Sequence, residues 1–580
     1  MEQRIRITIL SGDKAIRLFQ SDDFILGWKR LSQIDKKTTI LQEPGFVVPW
    51  YSCYAEVYCP VFCLGYNETE QLIGLMLLAR HRKTGVIAHA GDQQAEYHGW
   101  LSYPEFDTFF PVECLIALKK RYCLRKWQWR YVPPDAPTQW FFSPRLVKHG
   151  IFNRYQKEDS PVWDLSDPTR LNKLMKNRAI RTKFNYFEKQ GTVRFERIMD
   201  KDQTRRLMDV LGSQCDFRQG AAHNAIPFAN DSHKAKFYIE RQNYPEANHF
   251  SVLWVNDKIL ATHFGAADKK TAYLGLTSFD PTQSRKSPGS LLMVKLAERL
   301  HEDGYRYLDM TPGGDQYKRR FSNTVQTLYR PTFYFNKREK IKADVVDGLL
   351  SLMKRVMLLA GIEKHQFPEV RYFLSDLLAL AKKSSIIETA RALAFLAYEK
   401  RMSVYYRLEK DSPGFEETDK GELQTQKYEH LMLYEGTWPW ISRRVLISSA
   451  QNMFVQGETL YSCVQDGKLI YFGWRSMHRK EHRLSGGNGV FESAQESILI
   501  HDFYLDPQVE EGGRLKQYLN RMVADSFKAG AKEVYAAVYQ NQAEISSALR
   551  KMGFPHSFRH TENRFLGIVN KRDRFSRVQA

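Results

Sequence analysis

Ser287-Pro288-Gly289-Ser290, preceded by Arg285 and Lys286, has the makings of an anion-binding helix start. Serine caps a helix, proline suits its first turn and glycine lets a ligand approach the backbone. The unpaired N–H groups there point at negative charge, and a pyrophosphate would be held well. An ordinary capped helix carries the same residues. Further on, Asp309-Met310-Thr311-Pro312-Gly313-Gly314-Asp315-Gln316-Tyr317-Lys318 places an acid at a strand end, then a glycine turn and a second acid. The carboxyl ends of parallel strands are where open α/β sheets hold ligands. Asp309, Asp315 and Tyr317 are therefore candidates for proton handling, and Lys318 for a phosphate or carboxylate. Asp315 could equally cap the helix that follows. His263 is centred on a strand (Leu260-Ala261-Thr262-His263-Phe264-Gly265) and its imidazole titrates near neutrality. A hydrogen-bonded, half-buried strand histidine is the plain alternative. These groups suit acyl transfer, which needs a proton acceptor, an oxyanion site and a leaving group. No Ser-His-Asp order, HExxH or P-loop lysine occurs. Cys53, Cys59 and Cys63 lie close together but without CxxC pairs, so no metal is expected.

The elements that must position these residues recur. A strand–turn–strand pattern appears at 60–82, at 250–268 with its turn at Asn256-Asp257, and at 460–477 with its turn at Asp466-Gly467. After the second and third copies the chain continues as strand, loop, helix, strand. The second copy gives strand 271–279, helix 288–304 and strand 305–310; the third gives 496–506, 514–530 and 533–541. Leu292, Leu296 and Leu300 mark the buried stripe of one helix, and Leu515, Leu519 and Val523 that of the other. Gly304 and Gly530 are placed to end them. Such crossovers demand parallel strands. The stretch 336–405 reads as basic amphipathic helices, and 409–426, rich in acids, Pro and Gly, as a linker.

A chain of 580 residues exceeds one hydrophobic core, and its net charge of +20 calls for an anionic partner. A nucleotide cofactor, an acidic glycan, tRNA or a membrane surface would each satisfy it. Seven cysteines, few and odd in number, fit a reducing compartment. The absence of a spanning apolar stretch and of a signal-peptide pattern points to a soluble, cytoplasmic protein.

The segment SFDPTQSRKSPGSLLMVKLAERLHEDGYRYLDMTPGGDQYKRRFSN (278–323) resembles the signature of the CelD-like (cellulose-biosynthesis type) GNAT acetyltransferases. RTKFNYFEKQG (181–191) is similar to that family's basic helix-to-strand element, and AGDQQAEYHGWLS (90–102) to its acidic-Tyr segment, with Glu96-Tyr97. The resemblance implies an α/β fold of tandem GNAT-like domains with mixed central sheets, distantly related to the FemAB peptidoglycan aminoacyltransferases. The expected arrangement is a first GNAT-like domain at 1–165 and a catalytic one at 166–335, a helical connector and linker at 336–425, and a third GNAT-like domain at 426–575. It implies an acyltransferase that takes acetyl-CoA or another acyl-CoA and acts on an amino sugar, polysaccharide precursor or similar acceptor. Arg285, Lys286, Ser287, Gly289, Ser290 and Lys318 would bind the cofactor. Strands 271–279 and 305–310 would edge the pantetheine slot. Within the third domain, Gln508, Gly512, Gly513 and Arg514 stand at the family's pyrophosphate loop and Asn541 at its asparagine. Glu510 and Glu511 depart from that loop and would repel a pyrophosphate, and Leu549 replaces its frequent tyrosine, so this domain would bind coenzyme A weakly, use another acid or serve as a structural partner. A FemAB-like donor would instead be charged tRNA, a chain that kept only the fold would be a scaffold, and the basic region at 336–405 could touch anionic lipid.

Overall fold

The computed structural model describes residues 5–359 except 314 and 315, residue 367, and 398–410, 422–435, 443–477, 479–483, 490–506, 514–565, 568–569 and 574–577. The chain divides into two compact units. The first comprises Met1–Gly212, Pro227–Phe279 and Pro288–Gly361; the second comprises Ser213–Ile226, Asp280–Ser287 and Ile362–Ala580. The class is α/β with mixed sheets, as expected from the strand–helix–strand runs. No helix among the described residues is long and apolar enough to cross a membrane.

All three anticipated hairpins form. In the first unit Tyr58–Tyr66 pairs with Leu72–His81, and Asn248–Val255 with Lys258–Ala266. In the second, Thr459–Gln465 pairs with Lys468–Arg475. Asn256 and Asp466 adopt φ of +52° and +50°, the left-handed conformation that tight turns require and that Asn and Asp tolerate.

Among the described residues the first unit has three sheets. One is antiparallel, running Arg6–Ser11, Tyr58–Tyr66, Leu72–His81, Ile87–His89, with Leu101–Ser102 also on Leu72–His81. A second orders Leu276–Phe279, Lys258–Ala266, Asn248–Val255 and Val193–Ile198. The third is mixed: Thr271–Tyr273, Tyr307–Asp309, Phe152–Asp164, Thr324–Tyr334, Lys126–Gln128. Its long strands pair antiparallel from Phe152 opposite Tyr334 to Val162 opposite Thr324, so this sheet gathers residues from both halves of the unit. Helix Pro288–Glu302 buries Leu292, Leu296 and Leu300 in a core that takes residues from both the second and third sheets, and Gly304 ends it at φ +83°.

The second unit is built on one sheet. Val490–Leu505 and Glu533–Tyr539 run parallel, but only Ile498–Ile500 against Val534–Ala536 are paired. Helix Arg514–Lys528 buries Leu519, Met522 and Val523 on the sheet, and Gly530 follows at φ +94°. Tyr398–Glu409 corrects the helical expectation for that part of the connector: it is a strand between Glu533–Tyr539 and His556–Phe565. Val404, Tyr406 and Leu408 alternate into one core while Tyr405 faces the other way, a period of two that settles the matter for strand. Lys337–Leu359 is helical as expected, and its Ile341, Val345 and Leu349 are exposed. Residues 368–397 of that connector lie outside the described residues.

Candidate functional site

The strand expected at 271–279 is two strands, and the break between them makes the site. Thr271–Tyr273 lies parallel to Tyr307–Asp309, with Tyr273 opposite Asp309. Leu274 N–H donates to the Asp309 carbonyl at 2.7 Å, and the chain then leaves this sheet. Leu276–Phe279 pairs instead with Ala261–Phe264 in the neighbouring sheet. The crossing is tight: a Cβ on Gly265 would lie 1.9 Å from the Tyr273 carbonyl oxygen. One on Gly275 would lie 2.5 Å from the Phe264 carbonyl oxygen. Two glycines therefore permit the strands to part at the carboxyl end of Asp309.

Asp309 occupies that end, 3% exposed. Tyr97 Oη donates to its Oδ2 at 2.6 Å, Gln326 Nε2 reaches the same oxygen at 3.3 Å, and the Thr311 N–H donates to Oδ1 at 2.8 Å. Burial raises the carboxyl to about 6 against these hydrogen bonds, which favour the ionised form. A carboxylate poised there takes a proton near neutral pH far better than an ordinary aspartate does. The turn behind it is strained: Thr311, a β-branched residue, has φ +58°. Lys318 Nζ braces that turn through the Thr311 and Pro312 carbonyl oxygens at 3.2 and 3.0 Å.

His263 is fully buried. Its Nε2 sits 3.3 Å from the Tyr273 carbonyl oxygen, and Nδ1 has no hydrogen-bond partner among the described residues. Burial lowers the imidazole to about 4, so it is neutral at physiological pH and joins Asp309 only through the Tyr273 backbone. Tyr317 is half-buried in the core under helix Pro288–Glu302. Asp315 lies outside the described residues.

At the start of that helix Gly289 has room for a Cβ, which would touch a Phe279 ring carbon in ordinary contact at 3.5 Å. Arg320 Nη2 donates to Ser290 Oγ at 2.9 Å, and burial together with the nearby Arg320 charge lowers the Lys183 ammonium. Two cations therefore stand where a helix dipole already favours an anion. Arg285 and Ser284 are placed differently. They pack within the second unit, Arg285 on Met477 and Ser284 accepting from Gln451 Nε2 at 2.8 Å. Ser287 closes that segment with φ +52°, and Lys286 is half-buried beside it.

In the second unit, the parted strands are bridged by Tyr539 Oη donating to Asp502 Oδ1 at 3.0 Å and Gln542 Nε2 to the Phe503 carbonyl oxygen at 2.6 Å. Asp502 has φ +49°. Beside it the buried His501 lies 2.9 Å from Glu458 and 3.0 Å from Asp502. Burial opposes its charge, but the two carboxylates outweigh burial and hold the imidazole protonated up to about 10. A folded-state value raised from 6.5 gives stability that is complete below pH 6.5 and lost as pH rises through about 10. Glu458→Gln should therefore lower the melting temperature most at pH 6.5, with the gap to wild type closing by pH 10. Calorimetry at pH 6.5, 8 and 10 checks it; a gap independent of pH would refute the linkage. Arg514 Nη1 donates to Gln465 Oε1 at 2.8 Å, Asn541 is exposed at a turn, and Leu549 is core. Gln508, Gly512 and Gly513 lie outside the described residues.

The sequence singles out none of Gln326, Lys183, Glu458 and Tyr539, shows Arg320 only as the end of the run Tyr317-Lys318-Arg319-Arg320, and gives Tyr97 no role. Arg320 and Lys183 stand in stretches whose basic character was visible; the others show no local signal.

A search of curated proteins gives no match. Among solved structures, a conserved protein of unknown function from Bacteroides thetaiotaomicron is 12% identical, covering 53% of this chain and 97% of that one, with a TM-score of 0.36. FemX is 8% identical over 53% of this chain and 95% of its own, with a TM-score of 0.36. L-PGS from Bacillus licheniformis is 12% identical over 56% and 95%, with a TM-score of 0.35. Residues 175–319, which hold the parted strands, the helix start and Asp309, match the family described as the acetyltransferase (GNAT) domain.

Proposed function

We propose that this chain is an acyl-CoA-dependent N- or O-acyltransferase, with acetyl as the acyl group and an amino sugar or polysaccharide precursor as the acceptor class. The observation that carries this reading is Asp309, a buried carboxyl raised to about 6 at the mouth of parted parallel strands. Its carboxylate takes the proton from the attacking amine or hydroxyl as that group adds to the acyl carbon. The edge of Leu276–Phe279 turned away from its partner strand offers backbone groups to a ligand arm. Arg320, Lys183 and the start of helix Pro288–Glu302 hold the anionic end. The fit is supported by the lack of a steric clash at Gly289 and by the cations near it. Bound acyl-CoA supplies an activated thioester whose thiolate departs.

Release of free thiol from acetyl-CoA, measured across a panel of amino sugars, tests the reading. Arg320→Ala should raise the dissociation constant for acetyl-CoA about tenfold by calorimetry, the worth of one charge-assisted contact. An unchanged constant would remove Arg320 from the donor site. A charged tRNA as donor is the second reading, favoured by the net charge of +20. Transfer from labelled aminoacyl-tRNA without any thiol release from acetyl-CoA would select it. Binding of neither donor would leave a scaffold.

A further inference from the structure

Tyr97 and Asp309 are 212 positions apart, yet they share a 2.6 Å hydrogen bond between fully buried groups. The backbone of Tyr97 is placed outside the acetyltransferase-like segment. Its backbone carbonyl accepts from Gln42 Nε2 at 2.8 Å, and Gln42 is itself held in a capping box with Thr39. The Gln42 carbonyl in turn accepts from Trp28 Nε1 at 3.0 Å. On the other side, Tyr97 forms a bridge with Tyr131, and its ring meets Tyr273 edge-on at 6.0 Å. A phenol fixed from so many directions has little choice of where its hydroxyl points. The second side-chain donor on Asp309, Gln326, also lies outside residues 175–319.

We propose that Tyr97 is the positioning residue of the acyl-transfer site: it fixes the rotamer of Asp309 and keeps that carboxyl ionised, so the site is completed by the N-terminal half. This rests on the role given to Asp309 above. The argument is one of local dielectric. A carboxylate removed from water is costly in its charged form, and each hydrogen bond donated to it recovers part of that cost. Tyr97 donates the shorter of the two side-chain bonds. Phenol donation to a carboxylate is charge-assisted, so losing it should shift the titration by roughly one to two pH units. The family-matched segment alone would then carry a carboxyl that stays protonated at neutral pH and takes no proton from a nucleophile.

The test uses the full chain. Aspartate labelled with 13C at the carboxyl carbon is followed by NMR through pH 4–9 in wild type and Tyr97→Phe, with Asp309→Asn identifying the resonance. The substitution removes one oxygen and preserves the ring, and circular dichroism confirms that the fold is kept. The Asp309 midpoint is expected to rise by about one unit or more. Beside it, thiol release from acetyl-CoA with glucosamine is measured against pH. The acidic limb of kcat/KM should move upward by the same amount, with KM for acetyl-CoA unchanged. A midpoint that stays in place in Tyr97→Phe overturns the inference and leaves the function untouched. A midpoint that moves while the rate profile does not upholds Tyr97's hold on the carboxyl and overturns Asp309 as the proton acceptor. Gln326→Leu provides a second route if Tyr97→Phe fails to fold. Its longer bond should yield a smaller upward shift of the same sign, and no shift at all would count against the inference.

Discussion

Asp309→Asn should abolish most acyl transfer while leaving the protein about as stable as wild type at pH 8. Removing a positioned general base costs about 100- to 10,000-fold in rate. The stability side follows from the same burial. A carboxyl raised from 3.8 to about 6 contributes stability that is present below pH 3.8 and lost as pH rises through about 6. Above pH 6 the ionised group is thus a burden of roughly 2–3 kcal/mol on the folded state. Asparagine has nearly the same shape and carries no charge; its single oxygen can still accept from Tyr97, while the amide nitrogen then facing the Thr311 N–H gives back about 1–3 kcal/mol of that gain. Melting temperature and thiol release, measured on one sample at pH 8, check both halves. A variant that loses stability and activity together would mean that Asp309 is a structural group.

Gly265→Ala is expected to damage the fold as much as Asp309→Asn damages the chemistry. Its added Cβ would fall 1.9 Å from the Tyr273 carbonyl oxygen and also meet the His263 ring at 2.8 Å. Neither the carbonyl nor the fully buried ring can retreat, because both lie inside paired strands. Overpacking of this kind costs about 3 kcal/mol, and more where backbone must move. In a unit this large that corresponds to a fall of roughly 4 °C in Tm. Since the clash lies where the strands part, rate should fall even at temperatures where the variant stays folded. Gly289→Ala, with its nearest neighbour at 3.5 Å, is the contrast: its fold should be unaffected.

Much of this architecture is legible in local sequence. Asn256-Asp257 and Asp466-Gly467 mark hairpins because few residues accept positive φ, and Gly304 and Gly530 mark helix ends for the same reason. The parallel pairing follows from the length of the crossovers. The division of 271–279 into two strands does not show, since TAYLGLTSF reads as one extended run; only the contact between Gly265 and the far chain breaks it. Tyr398–Glu409 was misread because a short mixture of apolar and basic residues fits either period until its partners are known. Of the site, Asp309 was visible from its place before a glycine turn. Tyr97 stood inside a recognised motif, but its partner lies 212 positions away, a distance no periodicity spans. Arg285 looked like a phosphate ligand by its neighbours and instead packs on Met477.

The mixed sheet that joins the two halves also governs how the chain must fold. Phe152–Asp164 cannot acquire its long partner until Thr324–Tyr334 has been made. At ribosomal speeds of about 5–20 residues per second, that strand waits roughly ten to forty seconds with its edge unpaired. Loop closure over such a separation is slow, and an open strand edge is a template for wrong pairing. Refolding from denaturant should accordingly be sluggish and dependent on protein concentration, and yield should improve when synthesis is slowed by cold or assisted by chaperones.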